Sequence, residues 1–236
     1  MFSSKEKQLW DACSSGNLEV VKRLASDASV NVNWIGPEKG DAPLHRAMRL
    51  RHLQVAELLL KHAQVDVNTG NAGKATPLYI ACQSGHTDLV SLLLADQRVD
   101  LNKAANEQYS PLWMASFNGH LPVVQLILAA GREVDTKAKS ITGTAGWHNK
   151  TAAEVADWSG SSGAWKDEKE EDSARRKQNC PLIVTLIETY DVNHKTLVQE
   201  EHQKALDDLT RQFEERLRQK ENEIEELKKQ IKINEV

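Results

Sequence analysis

The chain has 236 residues, of which 30 are basic and 34 acidic, so its formal net charge is −4. A charge this balanced argues against a nucleic-acid or membrane-surface partner recognised through overall charge. The longest strongly apolar stretch, 121–130, is much shorter than the ~20 residues that cross a bilayer, so we expect no membrane span. No apolar signal run follows the first charges, and three sparse cysteines are typical of a reducing compartment, so the cytoplasm is the expected location.

The first predicted element is a helical hairpin at Lys7–Asn33, with the pattern LWDAC, SGNLEVVKRL, VNVN. Its second helix carries Lys22 and Arg23 where later copies have Ser91 and Leu92. A polar outer edge of this kind is what the terminal unit of a stacked array needs. We therefore interpret this segment as an N-terminal cap.

The same pattern returns three times in register. APLHRA begins at Ala42, TPLYIA at Thr76 and SPLWMA at Ser110, so consecutive copies are 34 residues apart. Each copy is followed by an apolar run (HLQVAELLL, GHTDLVSLLL or GHLPVVQLIL) and a short tail (VDVN, VDLN or EVDT). A fixed period of this length is the signature of a repeat architecture.

Each copy predicts two helices. Thr or Ser before Pro is typical of an N-cap followed by the first helical residue, and Gly85 and Gly119 are suited to ending the first helix. The following apolar run predicts a second, amphipathic helix. Because one such hairpin cannot bury its own apolar stripe, neighbouring hairpins must stack.

The period, the TPLHxA-like box, the GH step and the DVN tail together resemble the ankyrin repeat. The resemblance implies an all-α ankyrin-repeat solenoid of about five hairpins over 1–190. The fifth copy is interrupted: Lys150–Gly160 supplies its first helix and Cys180–Glu188 its second. The loop that precedes the first helix of a repeat is called its finger, and in the fifth copy this finger, Gly143–Asn149, is enlarged. We expect the insertion 161–178 to lie outside the core, with a solvated helix over Lys166–Lys177 in which Glu171 faces Arg175 and Asp172 faces Arg176.

A different pattern, a heptad seam, begins after about Lys195, which predicts a C-terminal helix over 195–236. The seam consists of Leu206, Phe213, Leu217, Ile224, Leu227 and Ile231. Across a parallel dimer, Arg216 would face Glu221 and Glu223 would face Lys228, and both contacts are attractive. We predict a parallel homodimer through 206–236; the alternative is a lone charged helix, free or folded against the solenoid.

No catalytic, cofactor or metal pattern is present. The sequence lacks Gly-rich phosphate loops, the GxSxG elbow and the CxxC or HExxH spacings, so we expect a non-enzymatic protein without cofactors or metals. His45, His86 and His120 stand at standard ankyrin positions, where they are expected to orient neighbouring loops. Cys13 and Cys82 follow equivalent alanines and are expected in the core.

The resemblance also implies where a partner binds, because ankyrin domains usually use hairpin tips and the exposed side of the first helix. Aromatic residues at those positions are typical of binding hot spots. The predicted partner-binding residues, on repeats four and five, are Tyr109, Phe117, Asn118, Trp147, His148 and Trp158. Trp147 and Trp158 are assigned the positions of Tyr109 and Phe117 one repeat later. The alternative is that Trp147 and Trp158 pack beneath the finger and the insertion.

Two further groups of residues are interpreted as structural or solvated. Trp10 and Trp113 replace the usual histidine of the box and are expected to pack internally. A basic group in repeat two is expected to be solvated surface, with an acidic-peptide site as the lesser alternative; it consists of Arg46, Arg49, Arg51, His52, Lys61 and His62. The predicted function is protein recognition through the concave face, with possible self-association through the tail. The alternative is a scaffold in which the coiled coil is the functional module and the repeats are a spacer.

Overall fold

A computed structural model describes residues 4–141, 149–162 and 168–196, with single positions at 204, 211, 215, 218 and 219. Those residues are helical or irregular and contain no strand. The helices are α1 Lys5–Ser15, α2 Leu18–Ala25, α3 Pro43–Arg49, α4 Leu53–Leu60, α5 Pro77–Ser84, α6 Thr87–Leu94, α7 Pro111–Phe117, α8 Leu121–Leu128, α9 Ala152–Ser161 and α10 170–196. By its contacts the chain divides into one unit, Met1–Glu188, and a second, Thr189–Val236.

The helices form the predicted stack of hairpins. Within each hairpin the two helices pack together, as α1 does on α2 and α3 on α4. The inner helices α1, α3, α5, α7 and α9 stack in chain order, and so do the outer helices α2, α4, α6 and α8. The all-α solenoid predicted from the 34-residue period is confirmed.

The ends of the inner helices follow from local side-chain chemistry. The hydroxyls of Thr76 and Ser110 accept hydrogen bonds, both of 3.1 Å, from the backbone N–H of the third residue of α5 and of α7, Tyr79 and Trp113. Ala42 has no hydroxyl, and there His45 Nδ1 accepts from the Ala42 N–H at 3.0 Å instead. Gly85 ends α5 with φ of 72°, a left-handed conformation that glycine adopts without strain.

Each inner helix contributes a small and a large apolar residue to a core that the outer helices also line. Leu44 and Leu78 are at most 2% exposed, and Ala47 and Ala81 are fully buried. Cys13 is also fully buried, and Cys82 is fully buried in the equivalent position two repeats later, which confirms that both are core residues. Burial raises the pKa of the Cys13 thiol to about 12, so this thiol is chemically inert at neutral pH.

The prediction that 161–178 lies outside the core is wrong for its second part, 168–178. Arg176 is 2% exposed and Ser173 6%. The guanidinium of Arg176 donates to Glu168 at 2.8 Å and also to the carbonyl oxygen of Ser159, in the last turn of α9. A charged side chain is buried here because a carboxylate and a helix terminus neutralise it.

The ion pairs in this segment also differ from those expected. Arg176 pairs with Glu168 rather than with Asp172, and Arg175 pairs with Asp172 at 2.7 Å rather than with Glu171. The second helix of repeat five begins at 170, ten residues before the predicted start at Cys180. Its buried stripe starts inside the presumed insertion, and its members are Ser173, Arg176, Cys180, Ile183 and Ile187.

The helix α10 runs to 196, so no helix end separates the predicted domain boundary at 190 from the predicted tail at 195. The heptad seam of 206–236, with its homodimer, lies outside the described residues. Within the described ranges, no helix is long and apolar enough to cross a membrane.

Candidate binding surface

The inner helices place equivalent side chains in rows across the repeats. The box row holds the residue two before the buried alanine of the first four inner helices: Trp10, His45, Tyr79 and Trp113. The helix row holds the residue two after that alanine: Ser14, Arg49, Gln83, Phe117 and Trp158. Because each helix repeats the same geometry, residues of one row are neighbours along the stack.

The box row joins each repeat to the next. Trp10 Nε1 donates to the Asp41 carbonyl oxygen at 2.7 Å, and Trp113 Nε1 donates to the Lys150 carbonyl oxygen at 3.0 Å. His45 Nε2 lies 3.0 Å from the Ala75 carbonyl oxygen. The two tryptophans therefore make the inter-repeat contact that histidine makes in repeat two, which confirms their structural role.

Histidines at the GH step form a second set of inter-repeat contacts. His52 Nε2 lies 3.1 Å from the Ser14 carbonyl oxygen, and His120 Nε2 lies 3.1 Å from that of Gln83. A Cβ on Gly85 would stand 2.5 Å from the His120 ring, so glycine is required there by space as well as by its φ. The expected loop-orienting role is confirmed for His45 and His120; for His86 it stays a prediction.

Three of the four aromatic residues predicted for partner binding, Tyr109, Phe117 and Trp158, come together in one stack with Trp113. Tyr109 lies 4.3 Å from Trp113, Trp113 lies 5.3 Å from Phe117, and Phe117 lies 6.4 Å from Trp158, measured between ring centroids. Tyr109, Phe117 and Trp158 are half-buried, whereas Trp113 is 2% exposed. We call these four rings the aromatic strip.

The strip differs from the sequence prediction in its membership. Trp113 joins it as the ring that bridges Tyr109 and Phe117, and the four-residue spacing of these three could have indicated this. Trp147 and His148 lie outside the described residues. The position assigned to Trp147 is held by Lys150, since Lys150 directly precedes the N-cap Thr151 just as Tyr109 precedes the N-cap Ser110.

Asn118 follows Phe117 at the end of α7 and is half-buried. Its side-chain amide donates to the Met114 carbonyl oxygen at 3.0 Å, and its own carbonyl oxygen accepts from Arg175 Nε at 3.1 Å. Ser159 Oγ donates to the Phe117 carbonyl oxygen at 2.6 Å. These bonds fix the backbone of the strip at the junction of α7, α9 and α10.

The basic group of repeat two is largely neutralised within the fold. Arg49 donates two hydrogen bonds, of 2.9 and 3.1 Å, to the buried carboxylate of Asp41. Arg46 pairs with Glu38 at 3.0 Å and lies 4.5 Å from the Trp10 ring centroid. Burial opposes the ionisation of Asp41, but hydrogen bonds from Arg49 and Asn71 outweigh it and hold the pKa of Asp41 below its ordinary value. The expectation of solvated surface is wrong for Arg46 and Arg49.

A groove of about 590 Å³ lies beside the strip. It is lined by Tyr79 and Gln83 from α5, by Lys39 and Arg49 from repeat two, and by Glu107 and Tyr109 from repeat four. The sequence suggested nothing here, because Ala72, Gly73 and Ala75 of repeat three are small. Their lack of side-chain volume is what leaves the groove open.

No metal site accompanies these surfaces in the part of the chain that the structure describes, where no group of three His, Cys, Asp or Glu side chains could hold an ion. The described thiols of Cys82 and Cys180 are both buried, and burial raises the pKa of Cys180 to about 11. What the surfaces offer is a row of rings and a polar groove. Such surfaces are suited to binding.

Comparison with known families agrees with this interpretation. A family model described as ankyrin repeats (3 copies) matches residues 4–71 and 65–138, which is more than half of the chain. The chain therefore belongs to the ankyrin-repeat family, whose members generally mediate protein–protein interaction and are typically non-enzymatic. No curated protein matches the chain. The match ends at 138, and beyond it α9 packs on α7 as a further inner helix.

Proposed function

We propose that this chain recognises a partner protein through the concave face of repeats four and five. The observation that supports this most is the stacking of half-buried rings from two successive repeats, Tyr109, Phe117 and Trp158, into one strip. Large aromatic side chains that keep part of their surface in water are enriched at the centres of protein interfaces.

Each predicted residue has a role in this proposal. Tyr109, Phe117 and Trp158 are the anchors, and Asn118 holds the end of α7 beneath them through Met114. We expect Trp147 and His148 to contribute from the finger of repeat five. The rival explanation is that the rings of the strip serve only to join repeat four to repeat five.

Alanine substitutions separate the two explanations. Phe117→Ala and Trp158→Ala should each weaken capture of a partner about 30-fold, because truncating a central aromatic anchor costs ~2 kcal/mol or more. Lost stacking should lower the free energy of unfolding by only about 1 kcal/mol. Trp34→Ala, at a half-buried tryptophan directly after repeat one, is the matched control and should leave capture unchanged. Normal capture by both strip variants would exclude the strip as the binding site.

Self-association through 206–236 is the second part of the proposal, and it is based on the heptad seam in the sequence. Replacing Ile224 and Leu227 together by Asp should convert a dimer into a monomer in sedimentation velocity. A wild-type chain that is monomeric at high concentration would contradict it. If dimerisation is present and no partner is captured by the repeats, the scaffold alternative is favoured.

We keep the cytoplasm as the proposed location. The motive is that the three cysteines, Cys13, Cys82 and Cys180, are free and buried rather than paired. Cell fractionation of a tagged chain tests it, and enrichment in the nuclear or secretory fraction would contradict it.

A further inference from the structure

The finger tips bear an ordered charge pattern that the repeat alignment makes visible. Lys39, Gly73 and Glu107 each stand four residues before the first helical proline of their repeat, so they occupy one position in three successive fingers. All three line the same groove. In chain order, these three positions therefore present a cationic side chain, no side chain and an anionic side chain to the groove.

Backbone hydrogen bonds hold these three positions in register. The carbonyl oxygen of Lys39 accepts from the Ala72 N–H at 3.0 Å, that of Gly73 from the Asn106 N–H at 2.9 Å, and that of Glu107 from the Ile141 N–H at 2.8 Å. Because these groups are already paired between fingers, a ligand in the groove has to be recognised by side chains. Addition of a strand to the finger edge is not favoured.

At the cationic end of the groove, hydrogen bonds to a neighbouring carboxylate hold the Arg49 guanidinium in place. Arg49 is fixed by its two bonds to Asp41 and keeps 22% of its side-chain surface exposed, next to the exposed Lys39. Asp41 also accepts from Asn71 at 2.8 Å and lies 3.9 Å from Arg46, so its carboxylate is shared. A guanidinium held in place in this way can bind a carboxylate without losing further side-chain entropy.

We propose that this groove binds an extended segment of the partner that carries an acidic side chain at one end and a basic side chain at the other. The acidic group contacts Lys39 and Arg49, the basic group contacts Glu107, and an apolar side chain between them lies over Gly73 against Tyr79. This deepens the proposed function by naming the chemistry of the partner, and it rests on the concave face being the recognition surface.

The spacing of the two charges follows from the repeat. Stacked helices are ~8–10 Å apart, so positions two repeats apart are separated by about 16–20 Å. An extended chain rises about 3.3 Å per residue, so the acidic and the basic side chain should be roughly five or six positions apart. A helical segment of that length would span only about half the distance.

A random peptide library displayed on phage and selected on the full chain tests the proposal. Enriched peptides should share an acidic residue, an apolar residue and a basic residue, with the two charges five or six positions apart. Labelled copies should bind Lys39→Glu and Glu107→Lys each about five- to tenfold more weakly in fluorescence anisotropy. Exchanging the two charges of the peptide should restore part of its affinity for the double variant Lys39→Glu/Glu107→Lys, since Arg49 keeps its positive charge.

Controls separate failure of this inference from failure of the proposed function. Lys61→Glu, at an exposed lysine that ends α4, should bind the peptides as the wild type does. Peptides without the charge pattern, or peptides whose affinity both reversals leave within twofold, would overturn the inference, and so would a selection that enriches nothing. If such peptides still lose affinity for Phe117→Ala, the aromatic strip is the recognition surface and only the charge-recognition proposal is wrong.

Discussion

At the scale of single residues, asparagine side chains tie the tails of successive repeats together. Asn68 Nδ2 donates to the Arg98 carbonyl oxygen at 2.6 Å, while its Oδ1 accepts from the Asp100 N–H at 2.8 Å. Asn33 and Asn102 each make the equivalent pair of bonds to the repeat that follows. One side chain thus serves as donor and acceptor to the next repeat, which explains why the VDVN and VDLN tails end in asparagine.

Removing one of these side chains should weaken the stack. We expect Asn68→Ala to lower the free energy of unfolding by about 1–2 kcal/mol, since two hydrogen bonds to the next repeat are lost. Asn106→Ala, at an exposed finger position, is the matched control and should stay within about 0.5 kcal/mol of wild type. Urea denaturation measures both values, and equal midpoints for the two variants would contradict the bridging role.

The backbone of the finger in repeat four predicts a substitution that raises, rather than lowers, the free energy of unfolding. Gln108 has φ of 60°, a left-handed conformation that is costly for any residue with a Cβ. Gln108→Gly should therefore raise the free energy of unfolding by about 0.5–1 kcal/mol, after allowing for the greater chain entropy of glycine in the unfolded state. The same substitution inside an exposed helical turn, Gln125→Gly in α8, should lower it by about 1 kcal/mol. Destabilisation by both variants would contradict the strain argument.

At the scale of elements, the start of α10 is held by a buried ion pair. Arg176→Met should lower the free energy of unfolding by about 3–5 kcal/mol, because it removes the guanidinium that neutralises the buried carboxylate of Glu168. The double variant Arg176→Met/Glu168→Leu should recover most of this loss. Replacing 166–177 by a Gly/Ser linker should likewise destabilise repeat five, contrary to the expectation from sequence.

An exposed pair provides the comparison. Arg51 pairs with Asp88 at 3.1 Å but keeps 58% of its side-chain surface in water, so Arg51→Met should cost at most about 1 kcal/mol. Thermal unfolding measures the stability of all four variants: Arg176→Met, the double variant, the linker replacement and Arg51→Met. A double variant no more stable than Arg176→Met alone would mean that packing around α10, rather than charge, sets the stability there.

The GH step makes the stack sensitive to acid. Burial, and then the nearby charge of Arg175, lower the pKa of His120 from 6.5 to about 4. Below pH 6.5 the unfolded chain takes up a proton that the folded chain does not bind until about pH 4, so stability falls as the pH falls through this window. At most about 3 kcal/mol is lost from this one residue.

Replacing His120 tests the source of that loss. His120→Gln keeps an amide that can donate to the Gln83 carbonyl oxygen and should flatten the dependence of the denaturation midpoint on pH between 6.5 and 4. An unchanged slope in His120→Gln would assign the acid sensitivity to other groups.

At the scale of the whole molecule, the repeat period and the caps were enough to predict the solenoid. The proline after Thr76 and Ser110, the glycine at 85 and the buried alanines were all readable because each has one local physical role. The insertion was misjudged because a polar, charged stretch is ordinarily solvated. Only the three-dimensional pairing of Arg176 with Glu168 allows such a residue to be buried.

The binding surface was predictable to the same limited degree. Tyr109, Phe117 and Trp158 could be placed on one face by counting from the repeat, but the bridging ring of Trp113 required the stack itself. The groove over repeat three could not be predicted, because it is left open by the small side chain of Ala72 and the lack of one at Gly73. Sequence patterns indicate the residues that are present, whereas a cavity also depends on the volume left empty between them.

The central claim, that repeats four and five form the recognition face, is tested most directly by hydroxyl-radical footprinting of the full chain with and without its captured partner. Aromatic side chains are oxidised in proportion to their exposure, so the half-buried rings report on the surface themselves. We predict that oxidation of Tyr109, Phe117 and Trp158 falls several-fold in the complex while that of Trp34 stays constant. Unchanged oxidation at the three rings, with protection confined to residues beyond 196, would contradict the claim.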